Sequence, residues 1–400
     1  MMHTGKSLKI SPNATAAAIE VKLISTRKEF LSLENDWRTL AGRCRTYNLF
    51  TSFDWMLTWW DCLGKDKELM VFVLRSSGSV IGIAPLMKIR KSIWPLKYNE
   101  VYFISATEAP YSPSAFAGTL DFIIPDEFSM EYEEFLRYLL SSVNGWHCLR
   151  LHPLPQNSPA LPIFDRLVPG LRHEFSTAKI YDNACLNVAG SWTEYYAARS
   201  AKFRKNLRRA RQNLTKQYPV AFVEYRTPQE MTAAYAQILQ IEEQAWKWTD
   251  GSRINDRRYH DFYPALIRKF AEKNQTRIWI LQIDGQPAAY DMHIQDGKSI
   301  KTLKGSYSQK FAEFSPGSLL SYTAHKRFFQ EGIQHIDLLW GNLEYKQKWT
   351  NALEPHFGVC IRRKDTYSRL LQACEQSPVL YKVQQKYRQS HRWVKKKIRP

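Results

Sequence analysis

Four hundred residues exceed what one hydrophobic core ordinarily serves, so two cores or a fused double core is the expectation. Hydrophobic residues make up 44% of the chain, with 13 Trp, 21 Tyr and 20 Phe, which excludes a disordered polymer. The formal net charge of +19 points to polyanionic partners: nucleic acid, anionic lipid or phosphate-bearing small molecules.

The opening MMHTGKSLKISPNATAAAIE lacks the apolar stretch of a secretory signal, and apolar runs such as LMVFVL (69–74) are far shorter than a bilayer needs. The expected location is therefore cytoplasmic. IEVKLI (19–24) reads as a strand, and Thr26 with Glu29 forms a capping-box signal for a helix running to about Arg43. A second helix, SFDWMLTWWDCLG (52–64), is rich in Trp. LMVFVLRSS, a turn at Gly78 and VIGIAPLMKI then read as a hairpin. The second half repeats this layout. Thr227-Pro-Gln-Glu230 starts a helix running to about Trp248, another spans roughly 258–273, and RIWILQI, an Asp284-Gly285 turn and QPAAYDMHI follow. A second Asp-Gly turn (296–297) leads into KSIKTLKGSY.

The pattern predicts an α/β chain built of two copies of one unit, each a mixed central sheet flanked by helices. The expected units are 19–185 and 186–365, with a basic tail over 366–400. The six cysteines (44, 62, 148, 185, 360, 374) are scattered without a CxxC pair and read as reduced core residues, with no metal centre.

From Ser200 to Lys216 the chain carries seven Lys or Arg and no acidic residue. Phe203, Leu207, Ala210 and Leu214 share one stripe at helical spacing, so the charge lies on the free arc of a docked helix. That arc either faces a phosphate-bearing ligand or stays solvated; no nucleic-acid-binding motif accompanies it. On the next helix, Met231, Tyr235, Leu239 and Trp246 form an apolar stripe with Glu242 in its middle. A carboxylate so placed is either ion-paired in the core or held partly neutral by desolvation, the state that suits a general base. In QPAAYDMHI, alternation sets Tyr290, Met292 and Ile294 on one face and Asp291 and His293 on the other. The two polar residues either face solvent or form an Asp–His pair for proton transfer. Ser315-Pro-Gly317-Ser318 opens a helix whose first amides suit an anion. DLLWGNLEYKQKW (337–349) ends a buried strand in Gly-Asn and turns at once into Glu344, Tyr345 and Lys346, which marks either a tight turn or a ligand-binding strand end. In the tail, Val383, Tyr387, Val394 and Ile398 share one face of a basic helix, which suits an anionic membrane surface or a solvated end.

Five segments in order, FTSFDWMLTWWDCLG, SAKFRKNLRRARQNL, EEQAWK, SPGSLL and LLWGNLEYKQKW, resemble the CelD-like acetyltransferase-6 (BioF2-like) branch of the GNAT superfamily. That branch is related in fold to the FemAB aminoacyl transferases, and the likeness extends over roughly 20–365. It implies tandem GNAT-like cores, an acetyl-CoA or longer acyl-CoA donor, no metal, and direct acyl transfer to an amine in polysaccharide or cell-envelope biosynthesis. Ser315, Gly317 and Ser318 would hold the CoA pyrophosphate, with Arg208 and Arg209 on a phosphate-facing rim. Glu242, His293 and its neighbour Asp291 are the base candidates. Tyr307 would protonate the departing thiolate, and Trp246, Glu344, Tyr345 and Lys346 would contact the acceptor. Two further readings stay open. One is a lipid-amine acyltransferase of the ceramide-synthase kind, or a FemAB-like enzyme with an aminoacyl-tRNA partner. The other is a non-catalytic GNAT docking subunit of an envelope polysaccharide machine.

Overall fold

The computed structural model describes residues 7–10, 19–93, 96–107, 117–171, 173–245, 254, 259–341 and 343–377. The first half begins with β1 (Ser7–Ile10), β2 (Ile19–Ile24), α1 (Arg27–Leu31), α2 (Glu34–Ala41) and α3 (Phe53–Leu63). It continues through β3 (Glu68–Ser76), β4 (Ser79–Ile93), β5 (Leu96–Phe103), α4 (Ser129–Ser141), β6 (Cys148–Pro155), α5 (Ala160–Leu167) and β7 (His173–Asn187). The second half comprises α6 (Trp192–Ala197), α7 (Ala201–Gln217), β8 (Val220–Tyr225), α8 (Met231–Glu243), α9 (Phe262–Ala271), β9 (Thr276–Ile283), β10 (Gln286–Asp296) and β11 (Ser299–Tyr307). It ends with α10 (Pro316–Gln330), β12 (His335–Trp340), α11 (Glu344–Gln347), β13 (Ala352–Arg363) and α12 (Thr366–Gln376).

Local chemistry sets most boundaries. Thr26 caps α1 through the Glu29 amide, as its spacing predicts. The single helix expected to reach Arg43 breaks at Ser32, whose hydroxyl bonds the Glu29 carbonyl at 2.7 Å and so competes with the helix ladder. Ser52 caps α3 and Ser191 closes a capping box with Glu194. The α8 helix stops at Glu243, short of the expected Trp248, which lies outside the described residues together with Trp246. Its buried face is Met231, Ala234, Ile238, Ile241 and Glu242; Tyr235 and Leu239 of the expected stripe are only half-buried. In α7 the expected stripe holds, with Phe203, Leu207 and Leu214 buried. Residues 366–376 of the expected tail form α12; the amphipathic part from 378 onward lies outside the described residues.

The described strands form one sheet in the order β1-β2-β3-β4-β5-β6-β13-β7-β12-β11-β10-β9-β8. Pairing is antiparallel except at two places, β5 with β6 and β11 with β12. Both parallel ladders are short: Glu100–Cys148 and Val101–Leu149 in the first half, and Ser299–His335 through Lys301–Asp337 in the second. The last strands of the halves are exchanged. β13 from the end of the chain lies between β6 and β7, while β7 lies between β13 and β12.

Helices cover both faces of the second half's sheet. Tyr290, Met292 and Ile294 of β10 join a core that runs through α8 and α9 into the first half. On the opposite face Ile300, Ile336, Leu186 and Ala289 pack with α7 and α10. Trp55 of α3 meets Phe262 of α9 edge-on with ring centroids 5.8 Å apart, so the halves share apolar packing. No helix among the described residues is long and apolar enough to cross a membrane. Trp55 is fully buried at this junction. Trp55→Ala is expected to cost about 3–5 kcal/mol, and urea denaturation followed by circular dichroism should show both halves losing structure in one transition.

Candidate active site

The parallel strands β11 and β12 part after Lys301 and Asp337. Beyond that point β11 runs to Tyr307 and β12 to Trp340 with no ladder between them, which opens a wedge inside the sheet. At its vertex the Lys301 ammonium donates to Asp337 Oδ2 at 3.0 Å, and Asn183 Nδ2 of β7 reaches the same oxygen at 3.3 Å. Asp337 Oδ1 accepts the Leu339 amide at 2.7 Å, which steers β12 into a left-handed residue at Leu339 (φ 60°). Burial opposes the charge on both partners. For Asp337 the Lys301 cation outweighs that penalty and holds the carboxyl below its ordinary range. Asp337 does the converse for Lys301, which is held above the usual ammonium range.

The β10–β11 register ranks the candidate bases by their distance from the wedge. Asp291 pairs with Gly305, well inside the splayed part of β11, whereas His293 pairs with Thr302 next to the vertex. Both lie on the α10 face, as alternation predicts, but they are not joined to one another. Asp291 Oδ2 accepts from Ser321 of α10 at 2.9 Å, and His293 Nδ1 sits 3.0 Å from Thr302 Oγ1. His293 is wholly enclosed, with Phe328 edge-on at 5.1 Å. Burial, then the His325 imidazole and the Arg277 cation, holds it well below the usual imidazole range, so it is neutral. Gly305 is what admits Asp291 to the wedge: a Cβ there would stand 2.4 Å from Asp291 Oδ1.

Glu242 lies on the other face, 1% exposed, and accepts the Tyr290 hydroxyl at 2.7 Å. Tyr290 pairs with Ser306, so this carboxylate flanks the same stretch of β11 from the α8 side. Glu242 and His293 are thus on opposite faces of one sheet.

The helix start expected at Ser315 is present and directly follows the wedge. Ser315 is left-handed (φ 51°), Pro316 occupies the first turn, and the amides of Gly317 and Ser318 precede any intrahelical acceptor. No acidic side chain occupies that turn. A Cβ on Gly317 would touch the Tyr307 ring at 3.5 Å, so Tyr307 and the helix start adjoin. The basic helix α7 packs along α10 and the 309–314 turn that precedes it. Arg208 and Arg209 are exposed, and among the described residues neither makes an ion pair. Arg208 lies within Coulombic reach of Tyr196, whose ring meets Tyr322 of α10 at 5.0 Å.

Of the strand-end residues, Lys346 is buried and its ammonium is turned inward, donating to the Leu339 and Trp340 carbonyls at 3.2 and 2.7 Å. Its geometry fits holding the end of β12 in place. Glu344 is exposed and pairs with Lys348, and Tyr345 is half-exposed within Coulombic reach of Asp291. Lys301, Asp337, Gly305 and Ser321 escape the sequence reading. A lone acid in the apolar run HIDLLW and a glycine inside a strand are the signals that mark two of them.

Residues 201–347 match the family model described as an acetyltransferase (GNAT) domain. The second half of the chain carries a GNAT domain. The domain implies an acyl-CoA donor, and the parting of β11 and β12 lies within it. No curated protein matches the chain by sequence. Among solved structures, FemX is 11% identical with a TM-score of 0.57 and is aligned over 86% of this chain and 98% of its own. L-PGS from Bacillus licheniformis is 11% identical with a TM-score of 0.46, over 80% of this chain and 95% of its own. A tandem GNAT protein from the clavulanic acid biosynthesis pathway is 10% identical with a TM-score of 0.40, over 85% and 98%. With two short parallel pairs in one sheet, the architecture is that of tandem GNAT-like cores.

The vertex pair makes a pH-dependent prediction. Lys301→Met leaves Asp337 buried without its cation and should cost about 3–5 kcal/mol at pH 7. Because Asp337 is held below its unfolded value, its contribution is present above roughly pH 4 and fades as pH falls through the folded value. The stability gap between wild type and variant, read by urea denaturation, should therefore narrow in acid.

Proposed function

We propose that the protein is an acyl-CoA-dependent acyltransferase that moves an acyl group to an amine in the wedge between β11 and β12. The observation that carries this reading is the parallel pair that parts just before a helix start with no acidic residue in its first turn. The first half has its own parting pair, β5 and β6, but Glu131 lies in the first turn of α4, and the nearby Arg43 and Arg45 are engaged by Glu127 and Asp126, so that helix start offers less to a pyrophosphate. The donor is therefore assigned to the second half, with its phosphates at Ser315, Gly317 and Ser318 and the Arg208–Arg209 rim alongside.

In this scheme the amine attacks the thioester carbonyl, and the β12-facing edge of β11 stabilises the oxyanion through backbone amides. Asp291, oriented by Ser321, takes the proton from the amine; Tyr307, beside the helix start, gives one to the departing thiolate. Glu242, bonded to Tyr290 on the far face, positions the acceptor side of the strand. The acceptor class is an amine, and the family resemblance favours a cell-envelope or polysaccharide amine. The exposed cations of α7 are equally in keeping with a larger anionic donor, which competition with acyl-CoA would reveal.

Acetyl-CoA or a longer acyl-CoA should raise the melting temperature and, with an amine, release free thiol; no shift with any acyl-CoA would refute the reading. Asp291→Asn should lower kcat at least about 100-fold while the donor-induced melting shift persists. The double change Arg208→Glu and Arg209→Glu should raise the KM for the donor with kcat nearly unchanged, measured by the same thiol assay.

A further inference from the structure

Three neighbouring strands bring a thiol, an imidazole and a carboxylate to one spot on the sheet face opposite α10. Cys185 stands on β7, His335 on β12 and Glu354 on β13, and one donor atom from each lies within 4.8 Å of the others. The juxtaposition depends on the strand exchange, because only the insertion of β13 beside β7 brings Glu354 to the same side as the other two. We propose that these residues form a zinc-type metal site.

The surroundings fit that chemistry. A zinc-bound histidine usually has its second ring nitrogen fixed by a partner. Here His335 Nδ1 lies 3.3 Å from Ser299 Oγ, which leaves Nε2 facing the cluster, 2.9 Å from Glu354 Oε1. Cys185 is wholly buried, with Sγ 3.9 Å from Asp337 Oδ1. Asp337 Oδ1 already accepts the Leu339 amide, and its remaining lone pair could make it a fourth ligand, while the other oxygen stays with Lys301 and Asn183. Thiolate, imidazole and carboxylate are the donor types that tetrahedral zinc takes, at about 2.0–2.3 Å from the metal. The charge closes as well. On binding, the Cys185 thiol loses its proton to solvent, and a divalent ion with one thiolate and the Glu354 carboxylate is neutral. Lys301 and Asp337 cancel beside it. The bound ion would tie β7, β12 and β13 together next to the vertex of the wedge, as a brace and not as a reacting group.

The test uses the full chain stripped by a chelator and titrated with Co(II), then Zn(II). One equivalent of Co(II) should give a thiolate charge-transfer band and tetrahedral ligand-field bands, Zn(II) should displace it, and Zn(II) should raise the melting temperature. Cys185→Ser should lose the charge-transfer band. Glu354→Gln, at a half-exposed position, should weaken Co(II) binding by about tenfold or more while circular dichroism stays that of the wild type. Elsewhere the chain holds a thiol pair, Cys148 and Cys360, with sulfurs 3.5 Å apart, and Cys148→Ser is the control that should bind normally. Failure to take up one saturable equivalent would overturn the site. So would a band that survives Cys185→Ser and vanishes in Cys148→Ser.

Discussion

The buried ion pair between Lys301 and Asp337 is the interaction on which the second half is organised. Taking two charges out of water is costly, and the pair holds only because each partner is also hydrogen-bonded or closely flanked. It stands at the last rung of the β11–β12 ladder. Asp337 spends its second oxygen on the Leu339 amide, and that bond bends β12 away from β11. The opening of the wedge is thus tied to the same carboxylate that closes its base. The first half repeats the device with different residues: Glu100, 1% exposed at the β5–β6 ladder, is held by Arg150 and Lys91, both at 2.6 Å.

Exchange of the last strands makes the halves interdependent. β13 completes the first half's sheet beside β6, and β7 completes the second half's sheet beside β12. Neither half has a full sheet without a strand from the other. The shared apolar core through α3 and α9 reinforces this. A strand exchange of this kind places residues from three strands on one face, which is why Cys185 meets His335 and Glu354 although 150 residues separate it from the nearer of them.

The two wedges are alike in backbone and unlike in charge. The start of α4 carries Glu131 and the ion-paired Asp126 and Glu127, whereas α10 starts without acidic residues and has the basic α7 at its flank. This difference in charge is what supports the proposed placement of a phosphate-bearing donor in the second half.

Much of this was legible in the sequence for reasons of local chemistry. The apolar spacing of Phe203, Leu207 and Leu214 determines that α7 docks with its cations outward, and Ser315-Pro-Gly-Ser determines a helix start. Alternation in QPAAYDMHI determines that Asp291 and His293 share a face, since the strand period is two. What that face meets was decided only by tertiary structure. Asp291 bonds Ser321 thirty residues away, His293 is sealed by Phe328, and Glu242 lies across the sheet from both. Lys301 and Asp337 are 36 residues apart and carry no local signature as a pair. Period and capping are short-range properties that any segment carries with it. Pairing register, strand exchange and the desolvation of a charge depend on which distant segment arrives, and only the folded chain supplies that.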